Sequence, residues 1–387
     1  MKVKLRELGE IVTGNTPSKQ VTEFWDSDDI CFVKPDTISD TGISTILSSA
    51  EHLAEAARSK ARVVGNDAVL VTCIGSIGKI GITGQGEFAF NQQINAIIPN
   101  RRVNPKYLAY ALVFAKPQLI AIANAPVVPI INKSQFGDFE INIIEGLQKQ
   151  AEVARTLDIV AGVISKRQQQ LSTLDNLIKA RFVEMFGTYP SNEKGWPIGT
   201  IRDLVTEVRY GSSRKAAEGD SGKYPYLRMN NITYSGELDL SDTKTIDIPA
   251  DELDKCTVRR GDLLFNRTNS KELVGKTCVY NRDEQMVLAG FVVRVRLNEK
   301  ALPEFVSAFM NTSFSKQMLL GMCKAAIGQA NINAQELQNI GIYIPPIDLQ
   351  REFVSFKEQI DKSKSVIQKS LDETQILFDS LMQKYFG

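Results

Sequence analysis

The chain contains 387 residues, of which 43% are hydrophobic and 24% are charged, and this composition excludes large-scale disorder. At roughly 100–200 residues per domain, the length predicts two to four domains. Lysine plus arginine (46) nearly balance aspartate plus glutamate (45). The resulting net charge of +1 argues against a protein that coats nucleic acid or a membrane through a strong global field.

Single residue types exclude further classes of protein. The one histidine, His52, cannot build a His-based triad or a multi-histidine metal site. The five cysteines are odd in number and none are spaced as CxxC, which argues against a disulfide framework and favours a reducing cytoplasm. The first residues carry charges where a signal peptide needs an apolar core, and the most apolar stretch, 109–131, contains Lys116 and three prolines. We therefore expect a cytoplasmic protein without a membrane span.

Strand-rich and helical segments alternate along the chain. Up to residue 146, short runs rich in Val, Ile, Phe and Thr are broken by Gly, Asn and Asp, a pattern typical of strands in a mixed β domain. A proline at the first helical position predicts a helix over Pro105–Phe114. A proline-free segment follows, and a second strand-rich region contains a predicted helix over Pro303–Asn311. A second proline-free segment, 348–387, follows that region.

The two halves of the chain form an internal repeat with a period of about 200 residues. Matched segments keep their order throughout, which chance does not explain. The matched pairs are Leu5–Leu8 with Ile201–Leu204, Phe32–Ile38 with Tyr226–Ile232, Val64–Leu70 with Arg260–Leu264, Ile77–Lys79 with Val274–Lys276, Val103–Leu108 with Ala301–Val306, and Ile141–Ile143 with Ile342–Ile344. The chain is therefore a duplication.

The two proline-free segments are predicted to be long helices that end at glycine C-caps, Gly187 and Gly387. About 40 residues at 1.5 Å each give a rod of roughly 60 Å, which cannot bury an apolar seam against its own turns. Apolar residues at three- and four-residue steps are typical of coiled-coil pairing. We expect antiparallel pairing through Leu157, Ile164, Leu171, Leu174 and Ile178 of the first helix and Ile360, Ile367, Leu371, Phe378 and Leu381 of the second. The alternative is that each helix packs onto its own globular repeat.

The predicted fold class is α+β, with two tandem mixed α/β recognition domains separated by two long helices that pair as an antiparallel coiled coil. The predicted boundaries are 1–146 for the first domain, 147–187 for the central helix, 188–347 for the second domain and 348–387 for the C-terminal helix. Basic and acidic residues nearly balance within each of these four segments. Because phosphate neutralisation dominates the affinity of DNA-binding proteins, a chain with this charge balance that bound DNA would bind it weakly without partners.

No catalytic motif is complete. Ile344–Ile347 has paired prolines but lacks the amide or carboxylate and the aromatic residue with which an adenine or cytosine methyltransferase holds its base. The segment Gly75–Ile80 lacks the first glycine and the final Ser or Thr of a phosphate-binding loop. Asp242–Lys244 has no second carboxylate group to make a metal-dependent nuclease. We expect neither catalytic residues nor a metal site in this chain.

The polar loops are better explained as a DNA-reading surface. Specific readout uses Arg or Lys on guanine, Asn or Gln on adenine, and Ser or Thr on either base. The candidates in the first repeat are Asn15, Thr16, Ser18, Lys19, Lys34, Ser76, Lys79 and Gln92. Those in the second repeat are Arg209, Tyr210, Ser212, Ser213, Arg214, Lys215, Arg228, Asn230, Asn266, Arg267, Asn269, Lys271 and Lys276.

Each of these candidates has a purely structural alternative. Gly78-Lys79 and Gly275-Lys276 could only shape a turn between strands, and Asn91 and Gln93 could satisfy buried backbone groups. Two further asparagines, Asn132 and Asn333, are predicted to cap the short elements that follow them.

The arrangement resembles the target recognition domains and spacer helices of type I restriction-modification specificity subunits, over essentially the whole chain. Four segments carry the resemblance: Leu5–Leu8 with Gly14, Gly75–Gly81, Asn91–Asn95, and Ile342–Arg351 running into a long helix. The first repeat departs from the pattern, because Ile143–Gln148 lacks the paired prolines of Pro345-Pro346.

The resemblance implies a non-catalytic subunit in which each recognition domain reads one half of a split sequence in double-stranded DNA and the paired helices act as a ruler between the halves. It also implies two methyltransferase subunits docked on the helices, and motor-nuclease subunits. S-adenosylmethionine, ATP and Mg would then be bound by the partners. Because the two repeats differ in most loop residues, we expect an asymmetric target. The alternatives are a related system with a fused methyltransferase-nuclease partner and a coiled-coil scaffold that binds protein.

Overall fold

The structure, a computed structural model, describes residues 1–123, 128–217, 219, 221–323 and 329–387. It divides into two units, one formed by residues 1–169 and 367–387 and the other by residues 170–366. The units differ from the four predicted segments because both long helices contribute to both units.

Within the described residues, the first repeat has five α-helices and eleven strands: one strand and a short helix come first, nine strands follow, and three helices then precede the last strand and the long helix. The helices are α1 (Leu5–Leu8), α2 (Pro105–Phe114), α3 (Lys116–Ile122), α4 (Lys133–Asp138) and α5 (Leu147–Phe186). The strands are β1 (Lys2–Lys4), β2 (Gly9–Thr13), β3 (Ile30–Val33), β4 (Ile43–Ile46), β5 (Glu51–Leu53), β6 (Val63–Val64), β7 (Val69–Thr72), β8 (Ile80–Thr83), β9 (Phe88–Phe90), β10 (Ile94–Pro99) and β11 (Glu140–Asn142).

The second repeat follows the same order of elements with small additions. Its helices are α6 (Ala250–Cys256), α7 (Pro303–Met310), α8 (Ser313–Met322), α9 (Ala334–Gln338) and α10 (Ile347–Phe386). Its strands are β12 (Ile198–Thr200), β13 (Val205–Tyr210), β14 (Tyr224–Leu227), β15 (Lys244–Ile246), β16 (Thr257–Val258), β17 (Leu263–Asn266), β18 (Thr268–Asn269), β19 (Thr277–Val279), β20 (Met286–Leu288), β21 (Val292–Leu297), β22 (Ala330–Asn331) and β23 (Gly341–Tyr343).

The larger sheets of the two repeats have the same strand order except at β4, which has no counterpart in the described part of the second repeat, and this correspondence confirms the duplication. In the first unit the larger sheets have the orders β2-β10-β7-β8-β4 and β5-β3-β9-β6. In the second unit the orders are β13-β21-β17-β19 and β15-β14-β20-β16. Each repeat also pairs its first and last strands, β1 with β11 and β12 with β23, so the chain returns to its starting edge before it enters a long helix.

The ends of the long helices close the hydrophobic cores of both units. In the first unit, Phe386 of α10 packs against Tyr107 of α2, with ring centroids 5.0 Å apart. In the second unit, Phe186 of α5 packs against Phe305 of α7 at 5.0 Å, and Phe353 of α10 lies beside it. The alternative in which each helix packs only onto its own repeat is therefore wrong, because α10 also packs onto the first repeat and α5 onto the second.

The helices pair antiparallel, as predicted. In the second unit, Asp175 contacts Lys364 and Arg181 contacts Glu352, so the partner number falls as the first number rises. In the first unit, the Arg167 guanidinium donates to the Ser370 carbonyl and the Thr374 hydroxyl. The predicted seam residues are shielded from solvent: Leu157 is buried, and Ile164, Leu171, Leu174, Ile178, Ile360, Ile367, Leu371, Phe378 and Leu381 are half-buried. None of the helices in the described ranges is apolar over a length that could cross a membrane.

Candidate nucleic-acid interface

Three polar loops converge at one end of the first unit's sheets. They are the segment after β2, the turn between β7 and β8, and the turn between β9 and β10. The Thr16 hydroxyl donates to Gln92 Oε1 at 2.8 Å, and the Cys73 amide donates to the Gln93 carbonyl at 2.7 Å. The first contact joins segments that lie 76 residues apart in the chain, and the second joins the other two loops. Polar groups from all three loops therefore share one exposed surface.

The corresponding loops of the second unit converge in the same way but present larger side chains. The Arg267 amide donates to the Phe291 carbonyl at 2.9 Å, and the Arg267 guanidinium lies 4.9 Å from the ring centroid of Tyr210. The Tyr210 hydroxyl in turn accepts a hydrogen bond from the Ala334 amide at 3.1 Å. A guanidinium stacked on an aromatic ring is held in a defined orientation, which suits it to recognise a planar base edge.

Backbone hydrogen bonds show that Cys73 and Arg267 occupy the same position in the two repeats. The Cys73 carbonyl accepts from the Ile131 amide at 2.9 Å, and the Arg267 carbonyl accepts from the Ile332 amide at 2.8 Å. The side chains nevertheless differ completely, since Cys73 is buried and Arg267 is half-buried beside Phe291. One scaffold position thus carries a small thiol in one repeat and a cation in the other.

A second matched position shows the same divergence. Thr13 pairs with Asn95 across β2 and β10, and the Thr13 hydroxyl donates to Asn95 Oδ1 at 2.7 Å. At the matching place in the second unit, Tyr210 pairs with Val293 across β13 and β21. The two surfaces therefore share a backbone and differ in chemistry.

Most basic candidates in these loops are held by carboxylates of their own domain. Lys19 lies 3.2 Å from Glu51, and Lys34 pairs with the same carboxylate. The hydrogen bond from Lys34 is the largest factor that holds the pKa of the Glu51 carboxyl below its usual value. In the other ion pairs Lys79 contacts Asp40 at 3.0 Å, Arg209 contacts Glu207 at 3.1 Å, Arg214 contacts Glu252 at 2.6 Å, and Arg228 contacts Asp242 at 2.9 Å. A DNA phosphate that approached them would have to compete with these carboxylates.

Burial removes three residues from the candidate surface. Ser212 is 5% exposed, Asn266 is 0% exposed and Lys276 is 6% exposed. Asn266 Nδ2 donates to the carbonyls of Thr268 and Phe291, and the Lys276 ammonium donates to the Met229 carbonyl at 2.8 Å. Their polar groups satisfy backbone groups inside the domain, because a turn between buried strands leaves carbonyls that need donors. In the structure these three side chains therefore serve the backbone of their own domain, and their contact with DNA stays a prediction.

The remaining candidates lie at or near the surface. The exposed residues are Thr16, Ser18, Lys19, Ser76, Gln92, Arg209, Tyr210, Ser213, Arg214, Lys215, Asn230 and Lys271, and the half-buried ones are Asn15, Lys34, Lys79, Arg228, Arg267 and Asn269. Two of the half-buried asparagines already use their amides, since Asn15 donates to the Lys60 carbonyl and Asn269 donates to Asn266 Oδ1.

Several structural alternatives are confirmed. Asn132 Oδ1 accepts from the Gln135 amide and Asn333 Oδ1 accepts from the Gln335 and Glu336 amides, so both residues cap the helices that follow. Asn91 Oδ1 accepts from the Gln93 amide at 3.1 Å, so the Asn91 side chain satisfies a backbone group of the turn. Gly78 and Gly275 have φ values of 78° and 79°, which places both turns in the left-handed region that glycine adopts most readily.

The sequence interpretation missed Phe291. Its side chain is 50% exposed in the turn between β20 and β21, next to Arg267. The repeat alignment contained the signal, because this turn corresponds to Asn91–Gln93 between β9 and β10. An exposed aromatic ring at that place can contact a thymine methyl group or stack on a base.

Two mixed α/β repeats with convergent loops and paired long helices define a protein with duplicated recognition domains. The profile of the type I restriction modification DNA specificity domain family matches residues 1–174 and 193–374, one region for each repeat. The chain therefore belongs to this family.

Individual relatives agree with this assignment. The chain is 23% identical over 271 residues to the EcoKI type I restriction enzyme specificity subunit of Escherichia coli (strain K12), a match that spans 69% of this chain and 57% of the relative. It is 22% identical over 348 residues to the StySPI specificity subunit of Salmonella potsdam, covering 83% and 73% of the two chains. The type I restriction-modification S subunit from M. genitalium has the same fold, with a TM-score of 0.58 at 14% identity over 100% of this chain and 96% of that chain.

Proposed function

We propose that this chain is the non-catalytic DNA-specificity subunit of a type I restriction-modification complex, and that each of its two recognition domains reads one half of a bipartite, asymmetric target in double-stranded DNA. The observation that carries the proposal is the pair of matched positions described above. These two backbone positions carry Thr13 and the buried Cys73 in one repeat and Tyr210 and Arg267 in the other. Two readers with one scaffold and different side chains bind different base sequences.

The charge distribution supports a reader that depends on partners. Its basic loop residues are paired with carboxylates such as Glu51, Glu252 and Asp242, and the whole chain has a net charge of +1. Phosphate neutralisation supplies most of the affinity of DNA-binding proteins, so this chain alone should bind DNA weakly. Two methyltransferase subunits docked on the paired helices would supply the missing contacts. Motor-nuclease subunits would complete the complex.

Methylation and cleavage of DNA are assigned to those partner subunits. S-adenosylmethionine would be bound by the methyltransferase subunits, and ATP and Mg by the methyltransferase and motor-nuclease assembly. This chain would contribute position and sequence choice, because its exposed polar residues are of the types that contact base edges and phosphates.

Mapping of methylated adenines tests the proposal. The chain is co-expressed with its cognate methyltransferase in a host without other adenine methylation, and modified positions are read by sequencing. We expect one bipartite motif whose two halves differ and are separated by an unread gap. A matched strain carrying Arg267→Met should change the base preference in only one half. A palindromic motif would contradict two different readers, and a lack of chain-dependent methylation would contradict the proposed role itself.

A further inference from the structure

Each repeat contains a corresponding turn, and the two turns have similar backbone conformations but differ in the charge of one side chain. The segment Ser39–Gly42 follows β3, and Thr233–Gly236 follows β14 in register with it. Both turns end at a glycine in the left-handed region, with φ of 67° at Gly42 and 89° at Gly236. The matched second residues are Asp40 and Tyr234, so the second repeat lacks a carboxylate that the first repeat has.

In the first unit two lysines contact Asp40, one at its carboxylate and one at its backbone carbonyl. The Lys79 ammonium is 3.0 Å from Asp40 Oδ1, and the Lys116 ammonium donates to the Asp40 carbonyl at 2.8 Å. Lys79 comes from the turn between β7 and β8, and Lys116 begins α3. The Asp40 carboxylate thus neutralises the charge of Lys79, and the Lys116 ammonium has a backbone carbonyl as its partner.

The second unit keeps the two lysines and loses the anion. Lys276 comes from the turn between β17 and β19, and Lys316 comes from α8, the helix that corresponds to α3. The Lys316 ammonium lies 4.7 Å from the ring centroid of Tyr234. Its Nζ is buried and has no hydrogen-bond partner among the residues that the structure describes.

An ammonium in this setting is unfavourable without an anion. A buried charge normally needs hydrogen bonds or a counter-ion, and a cation–π contact replaces only part of that stabilisation. Burial, reinforced by the charges of Lys276 and Lys179, lowers the pKa of Lys316 to about 8. The acidic residue that follows the turn, Glu237, is bound by Lys364, which also contacts Asp175 at 2.6 Å.

We propose that Lys276 and Lys316 form an oxyanion site in the second unit, which binds a phosphate group at the position that corresponds to the solvent-exposed Asp40 carboxylate of the first unit. Tyr234 covers this site. Its side chain is 54% exposed, so rotation of the ring toward solvent opens a path to the Lys316 ammonium. The source of the phosphate is either the free ion or a DNA backbone diester beside the loop Asn266–Lys271, and the second source rests on the proposed function.

A reciprocal exchange of the two turn residues tests the site with the full chain and inorganic phosphate. Binding is followed by the NMR signals of isotopically labelled lysine side chains. In the unaltered chain, phosphate should shift Lys276 and Lys316 in a saturable manner and leave Lys79 and Lys116 unchanged. Tyr234→Asp should weaken phosphate binding by about tenfold or more, because it places a fixed carboxylate in the site. Asp40→Tyr should create a second phosphate site at Lys79 and Lys116.

Two controls keep this experiment decisive. Tyr234→Phe preserves the cover and the charge, so phosphate binding should not change. Lys316→Met removes the cation, and its circular dichroism spectrum reports whether the chain still folds. If phosphate leaves the Lys316 signals unchanged in the unaltered chain, or if Tyr234→Asp binds phosphate as tightly as Tyr234→Phe, the oxyanion site is wrong.

Salt dependence of DNA binding distinguishes the two sources of phosphate. The complex with the methyltransferase is titrated onto its methylation target at several salt concentrations. If a backbone phosphate occupies the site, Tyr234→Asp should reduce the slope of log K against log salt by about 0.9 and leave the methylated sequence unchanged. An unchanged slope would assign the site to free phosphate. A complex without sequence preference would contradict the proposed function, whereas the phosphate titration would still stand.

Discussion

Gln150 and Gln350 hold the same buried position at the start of the two long helices. Gln150 Oε1 accepts from the Asn104 amide at 2.8 Å, and Gln350 Oε1 accepts from the Leu302 amide at 2.9 Å. Each side-chain amide also donates to two carbonyls, from Arg102 and Ile144 in the first repeat and from Lys300 and Pro345 in the second. One glutamine therefore ties each helix to the loop before α2 or α7. The orientation of the helix on its domain depends on these three hydrogen bonds.

Replacement of Gln150 by leucine should destabilise the first unit. The change conserves volume but leaves the Asn104 amide and two carbonyls without partners, which should lower the free energy of unfolding by about 2–4 kcal/mol. Urea denaturation followed by circular dichroism measures the loss. Gln148→Leu is the matched control, because Gln148 is exposed two residues earlier on the same helix. Equal stability of the two variants would show that the buried hydrogen bonds contribute little.

Lys364 should stabilise the helix pair through its contacts within the second unit. Its side chain is 13% exposed and it binds both Asp175 and Glu237. Lys364→Met leaves two carboxylates without their cation, so the free energy of unfolding should fall by about 1–2 kcal/mol. Adding Asp175→Leu to Lys364→Met should recover part of the lost free energy of unfolding. Thermal unfolding of the single and double variants tests this, and Lys362→Met, at an exposed site, should cause no change.

Arg267 should determine base preference at the half-site read by the second unit. Removal of a guanidinium that contacts a base edge costs about 1–3 kcal/mol at the preferred sequence and relaxes the choice at one position. Competition binding by the assembled complex, with targets altered one base pair at a time, measures this effect. Arg260→Met is the control, because Arg260 is exposed and paired with Asp283 at 2.7 Å. A uniform loss on all sequences would instead assign Arg267 to a phosphate.

Stability should rise with pH through the titration of Lys316. Its pKa is lowered to about 8 by burial and by the charges of Lys276 and Lys179. The folded chain thus releases this proton near pH 8, whereas the unfolded chain holds it to about pH 10.4. Between these values the unfolded state binds more protons, so the free energy of unfolding increases with pH, by at most about 3 kcal/mol. Below pH 8 the cost of the buried charge is fully present.

Comparison with Lys316→Met isolates this contribution, since other groups titrate equally in both chains. The difference in free energy of unfolding between the two chains should change from pH 7 to pH 10 and stay constant below pH 7. Lys116→Met is the matched variant of the first unit, where the lysine donates to the Asp40 carbonyl. A pH-independent difference between the unaltered chain and Lys316→Met would contradict a lowered pKa.

The sequence by itself determined the duplication, the paired helices and the capping residues. A helix seam shows as a local period of three and four residues, so Leu157 and Ile178 are identifiable without knowledge of the fold. An asparagine before a short helix, such as Asn132 or Asn333, acts on amides two or three residues away. These features depend on interactions between near neighbours or on a period that the chain repeats.

Only the tertiary structure decided which polar residues remain available to a ligand. In the sequence, Asn266 and Lys276 are polar residues in polar loops, just as Lys215 and Lys271 are. In the structure, however, the first two lie inside the domain and the other two at its surface. Their burial follows from carbonyls supplied by segments far away in sequence, such as Phe291 and Met229. The exposed ring of Phe291 and the unpaired Lys316 likewise depend on neighbours that the fold brings together. The type of a polar residue defines which hydrogen bonds it can make. The long-range packing of the sheets determines whether it makes them to the protein backbone or to a binding partner.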